Sequence, residues 1–252
     1  MSALAISGIV CLVLIVGALG GALLRRLLPD RHLDQHAKDI VRLGAGLLAT
    51  IVGLVLGLLI SSAKGNFDTQ RDEVRRLTAS AIMLDKTLEE YGPETRPTRA
   101  ELRMAVADFI DQQWGLAKAP SPSRPYLPTA TAQDMYRRVV GLAPATDPQR
   151  FYKAQAMEIA NSMLQQRLVL YEQAGGRMPT LLVVILAAWL FVLFMSFSLF
   201  SPLNPTALGA VAIIALSAAA AFFLIFEMFH PFSGLMQIDS EPLKRALRAL
   251  PP

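Results

Sequence analysis

Cysteine is nearly absent from this chain. Cys11 stands alone among 252 residues, so no intramolecular disulfide can form. Charge is scarce as well: 17% of residues are Asp, Glu, Lys or Arg, against about 25% in an ordinary soluble domain. Two long stretches, 43–63 and 179–226, hold no charged side chain at all. No segment alternates apolar and polar residues in the manner of a strand. No phosphate-binding glycine loop, dinucleotide fingerprint, nucleophile elbow or paired zinc motif appears. Together these absences exclude a soluble globular enzyme, a disulfide scaffold and a disordered chain. What remains is an integral membrane protein, and neither an enzyme nor a cofactor is expected.

The charges that are present are concentrated. Residues 64–178 hold 16 of the 24 Lys and Arg and 14 of the 20 Asp and Glu. The net charge of +4 divides evenly between that segment and the remainder. Both signs are interspersed, so nucleic acid is not an expected partner.

Four membrane helices are predicted. The first covers about 1–24 and ends at Arg25-Arg26; without a basic leader region it reads as a retained span rather than a cleaved signal. The second covers 41–62, the third 179–200 and the fourth 206–226, the last two joined by a short turn at 201–205. The predicted organisation is all-α. A transmembrane hairpin at 1–64 is followed by a helical water-facing insertion at 65–178. A second hairpin at 179–230 and a C-terminal tail at 231–252 complete the chain. Nine basic residues near the helix ends on the insertion side against five opposite favour a cytoplasmic insertion.

Inside the insertion, Val74, Leu77, Ala81, Leu84, Leu88 and Tyr91 follow spacings of 3 and 4. That predicts one helix running unbroken from the second span to Tyr91, stopped by Gly92-Pro93. Further helices are expected at 97–117, with Leu102, Val106, Phe109 and Gln113 on one face, and at 132–142. A long one at 148–174 would present Met157, Ala160, Leu164, Leu168 and Tyr171. The four prolines between 118 and 130 predict a surface loop.

The second span has the most informative surface. Gly46, Thr50, Gly53, Gly57 and Ser61 fall within roughly 80° of one another at 100° per residue. The same face continues as Lys64, Asp68, Arg71 and Arg75. Small residues spaced this way serve close helix contact or line a pore. In an oligomer the cations would form a vestibule that attracts anions. Glu227 is the acidic residue touching a predicted span, with His230 one turn later, so this pair is the candidate for gating or ion sensing. His32 and His36 share a helical spacing but lack a third ligand, and no metal site is expected.

Several strings resemble a bacterial membrane-protein family described as bestrophin-like. They are 41–50 (Val-Arg-Leu-Gly-Ala-Gly-Leu-Leu-Ala-Thr), Leu84-Asp85, Tyr91-Gly92-Pro93-Glu94-Thr95, Pro202-x-Asn204, Glu227-x-x-x-Pro231-Phe232-x-Gly234, and Ser240-x-Pro242-Leu243. Ser198 departs from the family's glycine, which is expected to bear on the turn between the last two spans. The resemblance implies the architecture of bestrophins: pentameric anion channels with four membrane helices and a helical cytosolic portion. No acidic cluster resembles their calcium clasp, so calcium activation is not carried over, and the second span lacks their aromatic neck, offering Ile51, Leu54 and Leu58 as its bulky residues. The expectation is a homo-oligomeric ion channel in the bacterial inner membrane, lined by the second span. The alternative is a non-conducting scaffold whose insertion binds a protein partner.

Overall fold

A computed structural model describes residues 3–29, 35–115, 130–174, 180–200 and 205–250, with the side chains of 36, 37 and 171–174 outside the description. The described residues contain helices and no strand. In chain order these are α1 (Ala3–Leu27), α2 (Gln35–Tyr91), α3 (Arg96–Trp114), α4 (Ala130–Gly141), α5 (Asp147–Ala174), α6 (Thr180–Phe200), α7 (Pro205–Met228) and α8 (Glu241–Ala249). Helices α1, α2, α6 and α7 are long and apolar enough to cross a membrane. The expected unbroken helix through the second span is present: α2 runs for 57 residues. The proline-rich segment, the turn at 201–204 and His32 lie outside the described residues.

The chain divides into two compact units. One comprises Met1–Asn66 with Arg177–His230, the other Phe67–Gly176 with Pro231–Pro252.

In the first unit, α1 packs against α6 and α7. Its buried positions Ser7, Val10, Leu14, Gly17 and Gly21 are spaced 3, 4, 3 and 4, a single seam along one face. Gly17 and Gly21 lie one turn apart where α6 approaches closest. A Cβ built on Gly17 would meet Phe191, and one on Gly21 would overlap the backbone of Met195. This is small-residue packing that lets two helix backbones touch. Leu14, Leu186, Phe222 and Ile225 are completely enclosed. The outward faces stay apolar, with Leu12, Leu43, Leu181, Ile213 and Leu216 each more than 60% exposed. A surface of that kind is tolerable in lipid, where the gain on association comes from packing rather than from escape from water. Hydroxyls on these helices donate to the carbonyl one turn back: Thr50 to Gly46 (3.0 Å), Ser196 to Val192 (2.8 Å) and Ser217 to Ile213 (2.9 Å). No polar side chain of the three is left seeking a partner in hydrocarbon.

The second unit has its own core. Val74, Leu77, Ala81, Leu84 and Leu88 of α2 pack with Leu102, Val106 and Phe109 of α3, Met135 and Val139 of α4, and Ala160 and Met163 of α5. The segment expected as a C-terminal tail carries α8, whose Leu243 enters this core together with Leu250 just past the helix end. Arg103 holds the end of α8, donating to the carbonyls of Leu247 (3.2 Å) and Leu250 (2.6 Å). The cation therefore completes the orphan C-terminal carbonyls and complements the negative end of the helix dipole.

The stop after Tyr91 has a local cause. Gly92 adopts φ 139°, a conformation that a Cβ disfavours. Thr95 is buried, and its hydroxyl faces the carbonyls of Leu88 and Gly92, which closes the exposed end of α2. Thr146 and Gln149 form a capping box at the start of α5: Gln149 Oε1 accepts from the backbone of Ala145 (2.9 Å) and Thr146 (3.3 Å). The Gln149 amide also donates to the Tyr91 carbonyl (3.3 Å) and to Glu94 (3.2 Å), tying the two caps together.

Candidate functional site

The predicted stripe on α2 is set by helix geometry. Within the first unit α2 buries Ala45, Val52, Leu59 and Ala63. Those positions centre roughly 130° around the helix from the Gly46–Ser61 stripe, at 100° per residue. Gly46, Thr50, Gly53, Gly57 and Ser61 are all exposed. A Cβ built on Gly46, Gly53 or Gly57 meets nothing within 4 Å. The contrast with Gly17 and Gly21 is direct: one pair of small residues is filled by a neighbouring helix, while the other faces outward from its own chain.

Beyond the span the same face turns charged. Lys64, Arg71 and Arg75 are exposed, and Asp68 is half-buried. Lys64 and Asp68 each take part in a polar interaction. Arg75 pairs with Asp72 at 3.6 Å, a solvent-exposed contact that tempers the local positive potential. The opposite face of α2 stays buried through this region at Gln70, Val74, Leu77, Ala81 and Leu84. One long helix thus keeps a core face and an outward face over both of its parts.

Glu227 lies near the end of α7, is 5% exposed, and has a polar partner. His230 is exposed, its Nδ1 2.9 Å from the Phe226 carbonyl oxygen. The pair therefore shares a helical spacing but not an environment. Among the described residues no group of three or more His, Cys, Asp or Glu could hold a metal ion.

Two polar arrangements went unnoticed in the sequence. Asp85, 3% exposed, receives a bidentate pair of bonds from Arg99: Nε to Oδ1 at 2.7 Å and Nη2 to Oδ2 at 2.9 Å. Hydrogen bonding to Asp85 raises the Arg99 guanidinium further above its usual value. Glu89 adds a longer contact to Arg99 at 3.6 Å and accepts from Lys86 at 2.6 Å. That bond, then the charges of Lys86 and Arg99, holds Glu89 below the ordinary carboxylate range. The second arrangement surrounds Trp114. Its Nε1 donates to the Ile238 carbonyl (2.8 Å), and its ring stands perpendicular to Phe232 with centroids 5.2 Å apart. Nothing in helical spacing signals either one, since the partners lie 14 and 124 residues apart.

A comparison with curated protein sequences finds no match. Among solved structures, a leucine-to-threonine variant of a bacterial bestrophin homologue from Klebsiella pneumoniae superposes with a TM-score of 0.68 at 14% identity, covering 96% of this chain and 97% of that one. An isoleucine-to-threonine variant of the Klebsiella pneumoniae homologue gives 0.66 at 14% identity, covering 95% and 96%. A proline-to-alanine variant of a membrane protein gives 0.65 at 13% identity, covering 96% and 97%. At such identities these likenesses establish a shared fold. Residues 11–243 match a Bestrophin-like domain in sequence, and with that match spanning nearly the whole chain, this membrane protein belongs to the Bestrophin-like family.

Proposed function

We propose that this chain is one subunit of a homo-oligomeric ion channel, with α2 lining the path and anions as the favoured ions. The observation that carries the reading is the unfilled face of α2. Five small or hydroxylated residues, Gly46, Thr50, Gly53, Gly57 and Ser61, point away from the chain's own core. Glycine costs helix stability, roughly 1 kcal/mol each relative to alanine, and close contact within the chain does not repay it here. Copies arranged around an axis would use that face for permeation, and their Lys64, Arg71 and Arg75 rings would concentrate anions at one mouth. Asp68 reduces that potential without reversing it. Glu227, enclosed at the end of α7, is the candidate for gating or ion sensing, with His230 beside it.

The membrane is the bacterial inner membrane, with the insertion at 65–178 in the cytoplasm; the basic residues near the helix ends support that side. A non-conducting scaffold whose insertion binds a protein partner is the second reading, supported by the lack of side chains more polar than Thr50 in the middle of the membrane span 41–62.

Flux from liposomes of purified protein, with anion and cation substitution, separates the two readings. Conduction is expected for the channel, favouring anions. Charge reversal at Lys64, Arg71 and Arg75 together is expected to shift selectivity toward cations by about tenfold. Absence of flux above protein-free liposomes would leave the scaffold reading.

A further inference from the structure

The segment that follows α7 is built as a rigid loop with an apolar tip. The amide of Ile238 donates to the carbonyl of Pro231 at 2.6 Å and closes residues 231–238 on themselves. The Ile238 carbonyl is held in turn by Trp114 Nε1 at 2.8 Å, and Phe232 stands edge-on against the Trp114 ring. Gly234 takes φ 93°, which a side chain would disfavour, and so supplies the sharp reversal. At the far end of this frame Leu235 is 79% exposed, more than any other large apolar side chain among the described residues, and Met236 is 36% exposed. No charged residue occurs from 228 to 238.

The loop thus holds two adjacent apolar side chains outward in a segment without charge. Its position along the chain indicates what covers it. With 24 residues, α7 is about 36 Å long, enough to cross the hydrocarbon core. Pro231 follows the last residue of α7 by three positions, so it lies within roughly 11 Å of that end. The headgroup layer is itself about 5–8 Å deep on each side. The chain connection therefore keeps the base of the loop within or just beyond the headgroup layer. We propose that loop 231–238 is an interfacial anchor whose Leu235 and Met236 side chains insert at the boundary between lipid headgroups and acyl chains. The anchor rests on the membrane assignment alone and is independent of whether the protein conducts ions.

The test uses the full chain in phosphatidylcholine and phosphatidylglycerol liposomes. A Leu235→Cys substitution, made with Cys11→Ser, carries a bimane fluorophore; Met236→Cys provides the same reading if position 235 does not accept the label. Ile213→Cys on the exposed face of α7 serves as the lipid reference. Arg248→Cys, on the exposed side of α8, serves as the aqueous reference. A phosphatidylcholine bearing a nitroxide near its headgroup is expected to quench position 235 at least about twofold more than position 248, with iodide quenching reduced by a similar factor. Iodide quenching equal to that at position 248, without nitroxide quenching, would overturn the anchor. Protection from both quenchers would overturn it too, because a second copy of the chain would then cover the loop.

Discussion

Replacing Gly21 by leucine is expected to separate α1 from α6 and to cost about 3 kcal/mol or more, at the upper end of what overpacking produces. A Cβ at this position already overlaps the carbonyl and backbone of Met195, and backbone cannot rotate aside as a side chain can. Gly21→Ala is expected to destabilise as well, although alanine is the better helix former. Gly8 supplies the comparison within the same helix: nothing lies within 4 Å of its Cβ position. Gly8→Ala should therefore raise stability slightly, by up to about 1 kcal/mol. Thermal unfolding of the detergent-solubilised protein checks both. Equal midpoints for the two alanine variants would contradict the close approach of α1 and α6.

The second large effect concerns Asp85. Removing it by Asp85→Ala leaves the Arg99 side chain, only 14% exposed, with Glu89 at 3.6 Å as its remaining carboxylate. Breaking a buried pair by deleting one partner costs about 3–5 kcal/mol, because an uncompensated charge stays behind. The double variant Asp85→Ala with Arg99→Met should recover a substantial part of that loss, since neither charge then remains. If the double variant is as unstable as the sum of the two single ones, the pair contributes through packing rather than charge. The exposed Lys86–Glu89 pair nearby is expected to contribute little, being screened by solvent.

These two sites differ in how far they could be read beforehand. The Gly17-x-x-x-Gly21 spacing is present in the sequence, in the same form as Gly53-x-x-x-Gly57. Spacing alone does not say which pair meets a helix of its own chain. The seam of α2 was legible in full: Val74, Leu77, Ala81, Leu84, Leu88 and Tyr91 are all buried, because one face of a long helix serves one core. On α5 the expected register shifts. Ala156, Ala160, Met163 and Leu170 are buried, whereas Met157 and Leu164 are half-buried and Leu168 is 43% exposed. Apolar residues there occupy adjacent positions, and the neighbouring helices decide which stripe turns inward. Tyr171 lies outside the described side chains.

Helix α8 falls in the segment expected as a tail, although its signals are ordinary. Pro242 stands in the first turn, Leu243, Ala246 and Leu250 repeat at 3 and 4, and Arg248 lies in the last turn. Ser198 lies within the third span, as its position predicts, and is buried in α6. Asp85 and Thr95 belonged to strings recognisable by resemblance alone. Their reasons, a bidentate arginine and the closing of a helix end, depend on residues brought together by folding.

The proposed channel requires the small face of α2 to border the ion path. Thr50→Cys and Gly57→Cys, each made with Cys11→Ser, allow it to be tested in flux-active liposomes with a charged, water-soluble thiosulfonate reagent. Modification at either position is predicted to reduce flux by about tenfold, while Ile213→Cys on the outward face of α7 leaves it unchanged. Unaltered flux at positions 50 and 57, or a block at position 213 instead, would contradict it.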